Sequence, residues 1–201
     1  MISHAFICKN YFNLKAHTLN QLLNIALSTQ WQNNTDAIVC DPTVLSWLLD
    51  ASSLTKKLEM KSQVLTVEVK QQVKTDAKHS PLSAYFQASE KVLVREVLLK
   101  CDGIAHVFAQ TEIPSQTLSN KHKKLESIGT TSLGKFLFQE ASLKRSDIEI
   151  AEFLVGSPAH QLCHSLQQTC NHSLWARRSL FYIENKPLLV TEVFLPASGI
   201  Y

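Results

Sequence analysis

The chain is predicted to be an α+β protein: a single domain built on an antiparallel β-sheet with flanking helices. Three observations lead there. Segments with a hydrophobic period of two dominate from Gln63 onward. Tight-turn residues, Asp102-Gly103 and Glu184-Asn185-Lys186, separate neighbouring segments of this kind. Few βαβ units are available, so the five or six expected strands must pair antiparallel. With 201 residues, 45% hydrophobic and 18% charged, and only five glycines, the chain has no room for linkers or low-complexity tracts, and one domain should span residues 1–201.

The elements follow in order. Thr18 to Thr29 sets Leu19, Leu22, Leu23, Ala26 and Leu27 on one helical stripe behind a threonine cap, within an N-terminal extension of about forty residues. Asp41-Pro42 supplies a cap and a first-turn proline for a second helix. Leu65, Val67 and Val69 alternate on a strand face. Residues 91–101 and 104–112 form a hairpin about Asp102-Gly103, whose positive backbone dihedrals suit a two-residue turn. Residues 116–127 read as helical, ending near Gly129, and 145–153 as a strand. A last hairpin turns at Glu184-Asn185-Lys186, with Pro187 opening the final strand, where a missing N–H costs least.

Charge and cysteine content narrow the function classes. A net charge of +3 without a long basic run provides no nucleic-acid stripe, though it suits small anionic ligands. Five cysteines without C-x-x-C spacing argue for thiols in a reducing compartment. The N-terminus lacks the basic start and apolar stretch of a secretory signal, and no eighteen-residue apolar segment occurs. The expectation is a cytoplasmic protein without stable membrane insertion.

Two charges sit on apolar strand faces. Glu192 shares its face with Leu188, Val190 and Phe194; Arg95 shares its face with Leu93, Val97 and Leu99. A buried carboxylate without a partner is costly, and an arginine cannot escape by losing its proton. Either the two satisfy each other as a buried ion pair, or a ligand lies between them with a carboxylate for Arg95 and a hydroxyl for Glu192. Glu96 competes for the role of Glu192 but faces away from Arg95, toward a neighbouring strand. Arg177 and Arg178 occupy opposite faces, so at most one points inward.

Several segments together resemble the chorismate pyruvate-lyase family: WLLDASSLTKKLE (47–59), LVREVLLKCDG (93–103), IPSQTLS (113–119), IGTTSLGKFLF (128–138), RSDIEIA (145–151), LWARRS (174–179) and KPLLVTEVFLPASGIY (186–201). The match runs in order from about Pro42 to Tyr201, and its joint occurrence is more specific than any one motif. The resemblance implies a chorismate lyase-like fold with an internal ligand cavity. It also implies a cofactor-independent lyase, a monomer, that converts chorismate to 4-hydroxybenzoate and pyruvate at the start of ubiquinone biosynthesis. By the same resemblance Arg95 binds the ring carboxylate, Glu192 contacts the ring hydroxyl as the second catalytic residue, and Leu54 and Leu133 contact substrate largely through their backbone. From the residues alone, both leucines read as ordinary core.

The chain departs from the family pattern in two places. Residues 153–173 form an insertion containing His160, Cys163, His164, Cys170 and His172, whose spacing fits no structural-zinc pattern; it reads as a surface helix, and no metal is expected. At Gln110 an arginine is familiar in the family. The alternative function is a non-catalytic aromatic-acid sensor, because ligand-binding domains of some bacterial regulators share the fold. Such a regulator needs a DNA-binding unit, and the N-terminal extension shows one helix and no basic recognition surface.

Overall fold

The computed structural model describes residues 30–33, 38–76, 80, 82–83 and 90–201. The helix expected at Thr18 to Thr29 lies outside them. Among the described residues seven strands form one sheet: β1 (Leu65–Asp76), β2 (Lys91–Cys101), β3 (Ile104–Pro114), β4 (Lys144–Arg145), β5 (Glu149–Phe153), β6 (Leu174–Ile183) and β7 (Lys186–Phe194). Their order is β1-β2-β3-β7-β6-β4, with β5 also paired to β6, and every pairing is antiparallel. The sheet has seven strands rather than five or six because the segment expected as one strand from Arg145 breaks in two. Ser146 interrupts it: its N–H donates to Leu180 O at 2.8 Å and its hydroxyl accepts from Leu180 N at 3.0 Å.

Both predicted hairpins form as two-residue turns with both central residues at positive φ: 50° and 86° at Asp102-Gly103, 50° and 62° at Glu184-Asn185. The second turn sets Ile183 opposite Lys186 and thereby fixes the register of the whole β6–β7 ladder. Helix α1 (Pro42–Leu48) starts at Asp41, whose carboxylate accepts from Thr43 N at 2.7 Å. Two shorter helices, α2 (Leu54–Glu59) and α3 (Leu133–Leu137), begin after Ser53 and Ser132. The segment expected to be helical after Gln116 is a 3₁₀ helix over Asn120–Ser127.

The sheet carries a core on each face. On one, α1 and α2 pack Trp47, Leu48, Leu54 and Leu58 with Val97, Val107 and Phe194; farther along the same face, Leu125 and Leu137 meet Ile113 and Leu188. On the other, Leu98, Phe108, Ala176 and Val193 pack against α4 (Pro158–Ser165). The insertion is therefore not a surface helix: Ala159, His160, Leu162 and Cys163 are buried and complete the second core. Its polar groups turn to the backbone instead. A ring nitrogen of His160 lies 3.0 Å from His172 O, and Cys170 Sγ donates to the same oxygen at 3.2 Å. Burial, with Cys170 alongside, pushes the Cys163 thiol up to about 12. No group of three or more His, Cys, Asp or Glu side chains converges on a metal-sized point among the described residues.

Candidate active site

Parity alone places the inward groups, and pairing brings them together. On the α1/α2 face, Val97, Ala109, Glu192 and Arg177 form one row across β2, β3, β7 and β6; Arg95, Thr111, Val190 and Ser179 form the next. Arg95 and Glu192 are thus two strands and one row apart, roughly 12 Å between Cα atoms from strand spacing and rise. Both line one cavity, together with Leu54, Leu133, Arg145 and Arg177.

The two anomalous charges do not pair with each other. Arg95 is 3% exposed and donates to Gly129 O at 2.8 Å and Gln72 Oε1 at 3.3 Å, both neutral acceptors. Burial pulls its pKa down, yet guanidinium keeps its proton at neutral pH. Gly129 sits at φ 59°, the left-handed position that ends the preceding helical segment. Its carbonyl meets the arginine there. The cost of burying this charge is met only in part by dipoles, which leaves the guanidinium suited to an anion from solution.

Glu192 takes its partner from the adjacent strand. Arg177 Nε donates to Glu192 Oε2 at 2.6 Å, and Arg177 Nη1 donates to Trp47 O at 2.9 Å and Asp50 O at 2.6 Å. Carbonyls at the end of α1 lack intrahelical donors, so the buried arginine satisfies them and clamps the helix to the carboxylate. Arg178, on the opposite face, pairs with Glu149 at 2.7 Å and lies over the Trp31 ring, so it is not a bare solvated charge.

Leu54 and Leu133 are the first residues of α2 and α3, where a helix has N–H groups without intrahelical acceptors. The two helices meet where Thr55 Oγ1 and Ser132 Oγ lie 2.6 Å apart. Gly134 permits this contact: a Cβ there would come within 2.7 Å of Thr55 Oγ1. Glu96 lies on the far face, where its Oε1 accepts from Gln110 Nε2 at 2.9 Å.

The cavity adds two residues that sequence reasoning did not assign, Arg177 and Arg145. For Arg177 a signal existed: counting six residues back from Ile183 and six forward from Lys186 sets it opposite Glu192. For Arg145 none did, because a two-residue strand has no period to read.

A family model described as "Chorismate lyase" matches residues 25–201, beginning earlier than the motifs from Pro42 suggest. A probable chorismate pyruvate-lyase of Psychromonas ingrahamii is 54% identical over 177 residues, covering 88% of this chain and 95% of the relative. A probable chorismate pyruvate-lyase of Shewanella sp. (strain ANA-3) is 38% identical over 173 residues, 85% of this chain and 90% of the relative. The chorismate pyruvate-lyase of Erwinia tasmaniensis is 34% identical over 160 residues, 79% and 82% of the two chains.

Among solved structures, the C-terminal domain of the histidine utilization repressor from Pseudomonas syringae pv. tomato aligns with TM-score 0.54 and 13% identity over 68% of this chain and 94% of that one. The effector domain of PhnF from Mycobacterium smegmatis gives 0.53 and 14% over 74% and 91%. These likenesses concern the fold alone. The extent and identity of the sequence matches establish that the chain belongs to the chorismate lyase family.

Proposed function

We propose that the cavity binds chorismate and that the chain converts it to 4-hydroxybenzoate and pyruvate, the entry step to the ubiquinone ring. The observation that carries this reading is the buried Arg95 guanidinium, bonded only to neutral acceptors among the described residues and facing one cavity with Glu192. A planar guanidinium suits two parallel bonds to the ring carboxylate. Glu192, oriented by Arg177, accepts the ring hydroxyl. Backbone N–H groups of Leu54 and Leu133 supply further donors at the cavity wall.

The chemistry then asks for little beyond positioning and exclusion of water. The bond from the ring to the enolpyruvyl oxygen breaks, and the neighbouring hydroxyl-bearing carbon loses its hydrogen as a proton. The C–H electron pair completes the aromatic ring, and the departing enolpyruvate takes up a proton to become pyruvate. All atoms of chorismate appear in the two products, so no oxidant is consumed. A cavity that fixes both ends of the substrate lowers the orientational part of the barrier, and fixed cations stabilise charge on the leaving oxygen.

On this reading the protein acts as a monomer in the cytoplasm, with a small molecule as its ligand. No helix among the described residues is long and apolar enough to cross a membrane. The fold is shared with the C-terminal domain of a repressor and with an effector domain, and the second reading is a sensor that binds an aromatic acid without turnover. Incubating the full chain with chorismate, and separately with isochorismate, separates the two. Equimolar pyruvate and 4-hydroxybenzoate from chorismate supports the enzyme; tight 4-hydroxybenzoate binding with no pyruvate release overturns it in favour of the sensor.

A further inference from the structure

We propose that Arg145 binds the enolpyruvyl carboxylate of chorismate, so that the cavity distinguishes its dianionic substrate from the monoanionic aromatic product. The inference rests on the reading of Arg95 and Glu192 given above.

Charge balance is the first argument. Among the described residues, the charged ones lining the cavity are three guanidiniums, Arg95, Arg145 and Arg177, and one carboxylate, Glu192, a net charge of +2. Glu192 is in direct contact with Arg177 at 2.6 Å, which removes that pair from the count. Two cations remain. A ring carboxylate at Arg95 answers one of them. A second anionic group on the same ligand answers the other, and chorismate carries one where 4-hydroxybenzoate does not.

Position is the second argument. Arg145 Nε donates to Ser179 Oγ at 3.0 Å, and Ser179 is the β6 member of the row that begins with Arg95. Arg145 itself pairs with Phe181, one row beyond Ser179, so its guanidinium reaches back to the β6 end of the row that Arg95 opens, with Glu192 in the adjoining row between them. With the ring carboxylate at Arg95 and the hydroxyl at Glu192, one of the two ring orientations about that axis points the substituent on the next ring carbon toward the β6 end, where Arg145 lies. In chorismate that substituent is the enolpyruvyl ether.

Arg145 is also preorganised. Nη1 of Arg145 donates to Ala51 O at 3.1 Å, and its Cζ lies 5.1 Å from the centre of the Phe181 ring. Among the described residues these bonds use two of the five N–H donors of a guanidinium, both on neutral acceptors, and leave three for an anion. Burial, then the neighbouring Arg177, pull the Arg145 pKa down, while Glu192 and Asp50 oppose the shift. Asp50 is itself held by Lys57 at 2.7 Å. An incoming carboxylate would relieve the repulsion between the two arginines.

The test compares wild type, Arg145→Gln and Arg145→Lys by the KM for chorismate and the Kd for 4-hydroxybenzoate, with thermal unfolding as the check on folding. Arg145→Gln is expected to raise the chorismate KM roughly 30-fold or more, with Kd for 4-hydroxybenzoate changing less than about threefold and Arg145→Lys recovering part of the loss. An unchanged chorismate KM overturns the assignment, and so does a parallel weakening of both ligands, which marks a structural role. If Arg145→Gln fails to fold, Arg145→Lys carries the same comparison, because a point charge keeps attraction but not fork geometry. A wild-type protein that releases no pyruvate refutes the parent reading, while equilibrium affinities for the two ligands still decide the role of the arginine.

Discussion

The same four strands carry two rows of side chains that face opposite ways: Val97, Ala109, Glu192 and Arg177 toward the cavity, and Glu96, Gln110, Thr191 and Arg178 away from it. Both faces bury ionisable groups, and they handle them differently. The cavity face compensates a carboxylate with a guanidinium and leaves two further cations on neutral acceptors. The far face buries two carboxyls, Glu96 and Glu112, on Gln110 and Ser80. Burial pushes both carboxyls up to about 7, with Glu112 adding to the shift at Glu96 and Arg178 opposing it at Glu112. Where no paired cation compensates it, burial raises the carboxyl pKa toward neutral; where cations are in excess, the site is left for an anion.

Breaking the cavity face should have the largest consequences. Arg95→Ala and Glu192→Ala should each lower kcat/KM for chorismate by about 10²–10⁴, the range for losing a substrate-orienting charge or a proton-handling group. Pyruvate release measured on folded variants checks this, and near-normal turnover in either would remove that residue from the site. Arg177→Met should cost about 3–5 kcal/mol of unfolding free energy, because it leaves Glu192 and the α1 carbonyls without their donor. In urea denaturation, adding Glu192→Gln should return part of that loss.

The far face should show itself in pH dependence. A carboxyl with a raised folded-state pKa contributes stability that is complete below its unfolded value near 4.5 and lost as pH rises through about 7. Stability should therefore fall between pH 5 and 8, by an amount on the order of 2–3 kcal/mol per group. The half-buried His106, its pKa lowered chiefly by desolvation, works in the opposite direction over part of that window. The slope isolated by Glu96→Gln/Glu112→Gln is the test, and a double variant with the wild-type slope would contradict the account. Smallest of all, Glu149→Gln removes the partly exposed partner of Arg178 and should cost no more than about 1 kcal/mol. The contrast with Arg177, one residue away, measures how far burial amplifies a pair.

Much of this contrast was legible in the chain itself. A strand alternates its side chains whatever it pairs with, so Arg95 with Val97, and Glu192 with Val190, followed from local parity. Turn chemistry at Glu184-Asn185 even contained the Arg177–Glu192 register, although parity by itself left open which arginine of the pair faces inward. The 153–173 insertion read wrongly as surface because its polar residues masked the buried stripe of Ala159, Leu162 and Cys163. The strand expected after Arg145 read as continuous because the hydrogen bonds that break it come from Leu180.

From its residue order alone, this chain determined its alternating faces, its hairpin turns and the charges that do not belong among hydrophobes, since each is set by neighbours a few residues apart. Tertiary structure alone decided that Arg95 and Glu192 face one cavity without touching, and that Arg145 reaches the same cavity from a strand of two residues. Those facts depend on which strands pair across the sheet and on where loops from distant positions present their carbonyls, and no local period encodes either.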